Sequence, residues 1–132
     1  MARVAQSAVV HLDTHIVCWL YAGRLDLLSD AAAEAIEHAR LVVSPIVDLE
    51  LQLLHEIGRI SKGPGAVLSA LATEIGLEVA AVAFSQVVAR ARDLNWTRDP
   101  YDRLIVAQAM AAGARLVTKD QAIRKNFAAA LW

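Results

Sequence analysis

The sequence predicts one α/β domain, with a central parallel sheet of four or five strands flanked by helices on both faces. Three observations carry that expectation. Short β-branched runs alternate with stretches of helical periodicity, and strands separated by helices join as parallel crossovers. The strand segments are apolar throughout rather than alternating, as in a sheet covered on both faces. The chain has 132 residues, is 57% hydrophobic and only 20% charged, enough to bury a core in one domain over residues 1–132 without staples.

The elements follow in order. "AVVHL" (8–12) reads as a buried strand ending at Asp13, and residues 14–22 as a helix. Ser29 and Asp30 open a second helix, with Leu28, Ala32, Ala35, Ile36 and Ala39 on one face. "LVVS" (41–44) is a strand, and Pro45 starts a helix running to about Ile57, with Gly58 as its stop. "KGPG" (62–65) is a turn from which Pro64 starts a helix that Gly76 ends. "LEVAAV" (77–82) is a third strand, and Ser85 caps a helix to about Leu94. Asp99 opens a further helix closed near Gly113, "RLVT" (115–118) is a fourth strand, and Asp120 opens a last short helix.

Composition excludes several classes. The longest uncharged runs, Val79–Ala89 and Leu104–Ala114, fall far short of the roughly 20 residues a membrane span needs. "MARVAQSAVVHLD" is a poor secretory signal, broken by Gln6 and Ser7. Cys18 is the only cysteine, so no internal disulfide forms and a reducing cytoplasm is the default compartment. The formal net charge of −1 argues against nucleic-acid binding through bulk charge and requires a local basic patch instead. The four histidines lack zinc-ligand spacing, and no Gly-rich phosphate loop occurs.

The informative residues are acids. In open α/β sheets, ligands sit outside the carboxyl ends of the strands. Asp13 and Asp120 fall at or just beyond strand ends, and Pro45 follows a third strand end. Asp13, Asp99 and Asp120 each have a helix N-cap as their ordinary explanation. Glu50 does not. Its helical neighbours Ile46, Val47, Leu53 and Leu54 are all apolar, whereas Asp48, Gln52, His55 and Glu56 form the polar face. A carboxylate on a core-facing stripe costs several kcal/mol unless it is paired or bound to a metal. Asp102 shares a face with Asp99, Ile105, Val106 and Ala109, on a helix apolar nearly all round after Leu104. Capping explains one of that pair better than two. Carboxylates gathered at one edge repel each other, and a hard divalent cation such as Mg²⁺ or Mn²⁺ removes the conflict. Such ions polarise phosphodiesters and activate water. A receiver domain would need an acceptor Asp after a middle strand, and a haloacid-type phosphatase a second Asp where His15 stands.

"VVHLDTHIVCWLYAG", "VVSPIVDLELQLL" and above all "WTRDPYDRLIVAQAMAAGARLVTKDQAI" carry a resemblance that spans nearly the whole chain. The sequence resembles the PIN domain and, within it, the VapC-type toxin ribonucleases of toxin–antitoxin pairs, with Tyr101 where Phe is commoner. The resemblance implies an endoribonuclease dependent on Mg²⁺ or Mn²⁺, with Asp13, Glu50, Asp102 and Asp120 as metal-binding carboxylates and Asp99 as the second acid of its motif. It implies RNA hydrolysis leaving a 5′-phosphate, a homodimer, and inhibition by a cognate VapB-like antitoxin whose C-terminal segment lies in the active-site groove. The alternative is an inactive PIN-fold module that binds RNA or a partner. Arg98, Arg103, Thr118 and Lys119 are the expected phosphate contacts, with Arg124 and Lys125 nearby. His15 reads as packing or helix start, and Trp19, Trp96 and Trp132 as core or interface anchors rather than base platforms.

Overall fold

The structure, a computed structural model, describes residues 8–132. Residues 1–7, which carry most of the signal-peptide argument, lie outside the described residues. Five strands, β1 (Val9–Leu12), β2 (Arg40–Val43), β3 (Glu78–Val79), β4 (Arg115–Val117) and β5 (Ala130–Leu131), form one sheet in the order β3-β2-β1-β4-β5. Every neighbouring pair is parallel. Seven helices connect them: α1 (Thr14–Tyr21), α2 (Asp30–His38), α3 (Pro45–Glu56), α4 (Pro64–Ile75), α5 (Phe84–Ala91), α6 (Pro100–Ala111) and α7 (Gln121–Asn126).

Local chemistry sets most of these boundaries. Asp13, Ser29, Ser44, Asp99 and Asp120 are N-caps whose side-chain oxygens accept backbone N–H groups of the first turn. Pro45, Pro64 and Pro100 occupy the first helical positions, where a missing N–H costs nothing. Gly76 ends α4 at φ 70°, a conformation that only glycine adopts freely.

Consecutive strand residues point to opposite faces, and Val10, His11 and Leu12 are all buried, so both faces of β1 are covered. Leu12, Ile16, Leu51, Leu71, Ile105 and Leu116 are fully buried, each worth about 1.5–3 kcal/mol in transfer free energy. In α6 every residue from Ile105 to Ala109 is buried, because that helix packs against α3, α5 and β4 at once. The chain builds outward from β1 through β2 to β3, then returns to place β4 on the other side of β1. The reversal puts a crevice between the carboxyl ends of β1 and β4, the position at which such sheets bind ligands.

Three boundaries depart from the sequence reading. The strand expected over 77–82 keeps only Glu78 and Val79, both exposed, because β3 is an edge strand; Ala80 adds one more bond to Val43 before the chain turns away. Ser85 does not cap α5, which begins one residue earlier behind Ala83 with no side-chain cap. A fifth strand follows α7, recruited by pairing with β4 rather than by any pattern of its own. Glu50 also sits differently from the expectation of a core-facing stripe. Val47 and Leu51 are the buried residues of α3, while Leu49 and Leu53 are 55% and 39% exposed. Glu50 therefore lies half-buried at the rim of the packed face.

Candidate active site

Asp13 ends β1 and is 6% exposed. Its backbone N–H donates to the Val117 carbonyl at 3.1 Å, continuing the β1–β4 ladder by one step. Its Oδ1 accepts the Thr14 N–H at 2.7 Å, and its Oδ2 accepts the Thr118 hydroxyl at 2.6 Å. The carboxylate is thus fixed across the crevice between β1 and β4. Burial raises its pKa; the bonds from Thr118 and Thr14 and the charge of His15 work against that rise, and Asp120 adds to it.

Thr118 also accepts the Asp120 backbone N–H at 3.0 Å, and Asp120 Oδ1 caps α7 by accepting the Ile123 N–H at 2.9 Å. On the other side, the Thr14 hydroxyl donates to Glu50 Oε1 at 2.5 Å. Two buried threonines therefore tie three acids from β1, α3 and the β4–α7 junction into one framework. Burial is the largest cause raising the Glu50 pKa, with Asp13 and Asp99 adding repulsion and Thr14 and His15 opposing it.

The two acids of α6 divide their work. Asp99 is exposed and caps the helix, its Oδ1 accepting the N–H groups of Tyr101 at 2.8 Å and Asp102 at 3.4 Å. Asp102 is half-buried, and among the described residues no hydrogen bond or ion pair holds its carboxylate. Its pKa is pushed up to about 7, first by burial and then by the charges of Asp99, Asp13, Asp120 and Glu50. The other four acids singled out in the sequence thus all lie within electrostatic reach of Asp102.

Among the described residues, no three acidic, histidine or cysteine side chains already enclose a single point at ligand spacing. The donor chemistry still selects an ion. Carboxylate oxygens alone suit Mg²⁺ or Mn²⁺, and Mg²⁺ keeps several waters and takes only one or two carboxylates directly. Asp102 is the acid of the group whose carboxylate no hydrogen bond or ion pair holds among the described residues. Asp13, Glu50, Asp102 and Asp120 fit a hydrated ion rather than a closed cage.

The expected phosphate contacts fare unevenly. Lys119 lines a cavity of about 350 Å³ with Asp13, His15, Trp19 and Asp120, and its ammonium lies 6.0 Å from the Trp132 ring centre. Thr118, expected at the substrate, is fully buried with its hydroxyl committed to Asp13. Arg103 donates to the carbonyls of Ala91 at 3.0 Å and Arg92 at 2.9 Å, so it clamps α6 to the end of α5. Arg98 donates to the Asn95 carbonyl at 2.9 Å and lines a separate cavity with Arg103. Arg103, on α6, reaches back to the end of α5, whereas Arg98, in the segment before α6, bonds a carbonyl of that same segment.

Two site residues escaped the sequence reading. Thr14 follows Asp13 directly, but only the approach of α3 brings Glu50 to its hydroxyl. His15, read as packing or helix start, is the second residue of α1, and its side chain is exposed on the cavity. Its position two residues after an acid at a strand end was the available signal.

The PIN domain family profile matches residues 10–127, and the chain belongs to the PIN domain family. It is 40% identical over 121 residues to Ribonuclease VapC22 of Mycobacterium tuberculosis (strain ATCC 25618 / H37Rv), covering 89% of this chain and 91% of that protein. Among solved structures it resembles VapBC2 from Rickettsia felis bound to a DNA fragment from its promoter, with a TM-score of 0.64, 19% identity and 89% and 92% of the two chains covered. A toxin–antitoxin complex from Klebsiella pneumoniae matches with a TM-score of 0.66 and 20% identity, over 94% and 95% of the chains. VapBC-1 from nontypeable Haemophilus influenzae matches at 0.56 and 21%, over 92% and 91%. Identities this low speak to the fold alone. No described helix is long and apolar enough to cross a membrane.

Proposed function

We propose that this chain is the toxin of a toxin–antitoxin pair, an endoribonuclease that hydrolyses RNA phosphodiesters at the crevice between β1 and β4 with Mg²⁺ or Mn²⁺. The observation that carries this reading is Asp102, a carboxylate with no partner among the described residues whose pKa is raised to about 7 by burial and by four other acids. A protein gains nothing in stability from such a group, and metal or catalytic chemistry is its usual explanation. The 40% identity to a ribonuclease over most of both chains supports the activity.

A bound ion would polarise the phosphoryl oxygen and lower the pKa of attacking water. Asp13, Glu50, Asp102 and Asp120 would hold it. Thr118 and Thr14 keep Asp13 and Glu50 oriented, and each hydroxyl, by donating to the charged form, works against the rise that burial imposes. Asp99 fixes the start of α6 and so the position of Asp102. Lys119 faces the same cavity as the acids and neutralises incoming phosphate.

The solved relatives are toxin–antitoxin and VapBC complexes, which supports a VapB-like antitoxin partner. Exposed apolar side chains on α3 (Leu49, Leu53) and α5 (Phe84, Val88) support a homodimer or partner contact, because monomers seldom leave such groups together in water. The cytoplasm, where RNA and antitoxin meet, is the proposed compartment.

The test is incubation of the purified, partner-free chain with structured RNA in Mg²⁺ and in Mn²⁺, beside EDTA and Asp13→Asn controls, with product ends mapped. Metal-dependent cuts bearing 5′-phosphates and absent from both controls are expected. A folded chain that binds the ion and RNA and cuts nothing would turn the reading to a binding module.

A further inference from the structure

The acid cavity is one end of a longer groove. His15 and Trp19 wall both it and a second cavity of about 380 Å³, and Cys18, Ala22, Arg59 and Ile60 wall that second cavity and a third of about 350 Å³. Residues 15, 18, 19 and 22 recur at helical spacing, so one face of α1 floors the whole groove. From His15 to Ala22 that floor is roughly 10 Å long at 1.5 Å rise per residue. Acids stand at one end, Trp19 follows, Arg59 and Ile60 stand together where the second and third cavities meet, and Lys62 lies on the far cavity.

The basic end is built, not incidental. Gly58 takes φ 79° to end α3, the Arg59 N–H donates to the Leu54 carbonyl at 2.8 Å, and His55 Nδ1 bonds the Ile60 carbonyl at 3.2 Å. These bonds fix the backbone that presents Arg59, whose side chain, like that of Lys62, is exposed and in no ion pair among the described residues. Arg24, on the same cavity, is already committed to Asp26. With Arg98 and Arg103 bonded to backbone carbonyls elsewhere, Arg59 and Lys62 are the cations that continue the groove.

We propose that the α1 groove carries a single RNA strand away from the cleavage site, with Arg59 and Lys62 binding a phosphate next along the strand and the apolar wall at Trp19 and Ile60 passing the bases between. The assignment rests on the ribonuclease reading above. A polyanion whose bases have apolar faces suits a groove with an apolar wall and cations away from the acids.

The test uses the full chain and a fluorescent single-stranded RNA, with binding measured in EDTA across a salt series and cleavage measured in Mg²⁺. In Arg59→Ala/Lys62→Ala the slope of log affinity against log salt falls by about 0.7, the value for one phosphate contact on a single strand. KM rises while kcat is kept, and melting is unchanged. Arg115→Ala, at the opposite end of β4, changes neither. A parent that cuts RNA while the double variant keeps its slope and KM overturns the groove assignment alone. If that variant instead loses an antitoxin peptide and still binds RNA normally, the groove belongs to the protein partner and the proposal is overturned as well. A parent that neither binds nor cuts RNA overturns both readings.

Discussion

The two edges of the sheet treat charge in opposite ways. At the starts of β2 and β3, Arg40 and Glu78 pair at 2.9 Å, their side chains 59% and 50% exposed. At the ends of β1 and β4, acids from four elements gather with no cation paired to any of them among the described residues. The first arrangement costs nothing and contributes little, since water screens both charges. The second opposes folding, because burial and repulsion both disfavour the charged carboxylates. A cluster that weakens the fold is what the proposed metal site requires.

The contrast breaks most sharply at Asp102. Asp102→Asn should cut RNA cleavage at least about 100-fold, the scale on which one charge-stabilising group acts. The same change should raise the melting temperature of the metal-free chain at pH 8, because it removes repulsion. Calorimetry beside a cleavage assay reads both. A variant that is less stable and still active would invert the comparison.

The next effect is pH. The Asp102 carboxyl has a folded pKa near 7 against 3.8 for an unperturbed aspartate, so the folded state holds the proton more tightly. Its contribution to stability is full at low pH and is lost as pH rises through 7. Asp13 and Glu50 shift in the same direction. His11 opposes them: burial lowers its pKa from 6.5 to about 4, so its contribution is lost as pH falls through that range. Above about pH 7.5, one unit past the unfolded histidine, only the carboxylates act. Net of the smaller His11 gain, the metal-free chain should melt at a lower temperature at pH 8 than at pH 6.5. Mg²⁺ should stabilise it more at pH 8, since the ion binds deprotonated carboxylates. Equal stabilisation at both values would remove the carboxylates from the site.

Thr118→Val comes third. It leaves the buried Asp13 Oδ2 without its donor, at about 1–3 kcal/mol. Because that bond favours the ionised form, the acid limb of the cleavage pH profile should move to higher pH. An unmoved limb with lost stability would make Thr118 a packing residue only. Smallest of all, Arg40→Ala should change stability by less than about 1 kcal/mol and leave cleavage unchanged, as denaturant titration would show.

The legible parts of the sequence were those whose cause is local. Asp13, Asp99 and Asp120 could be set at helix starts because capping needs only the next three residues. The burial of α6 was legible from an apolar run after Leu104 that only Gln108 interrupts. The strand at 77–82 was overextended because its apolar residues look the same whether a neighbour covers them or not, and at the sheet edge none does. The hydrogen-bond partners of Arg98, Arg103 and Thr118 were not legible for a related reason: nearness along the chain says nothing about which carbonyl or carboxylate a side chain reaches in the fold.

By itself, then, the sequence determined the alternation of strands and helices, the parallel sheet and the acids at its carboxyl edge. Periodicity, capping and apolar composition act over a few residues and need no knowledge of distant partners. The tertiary structure alone decided which side chains meet: Thr14 with Glu50 across 36 residues and Asp13 with Thr118 across 105. It also decided which of two neighbouring acids, Asp99 or Asp102, stays without a donor. Those outcomes depend on strand order and helix packing, which are set by burying the whole core at once.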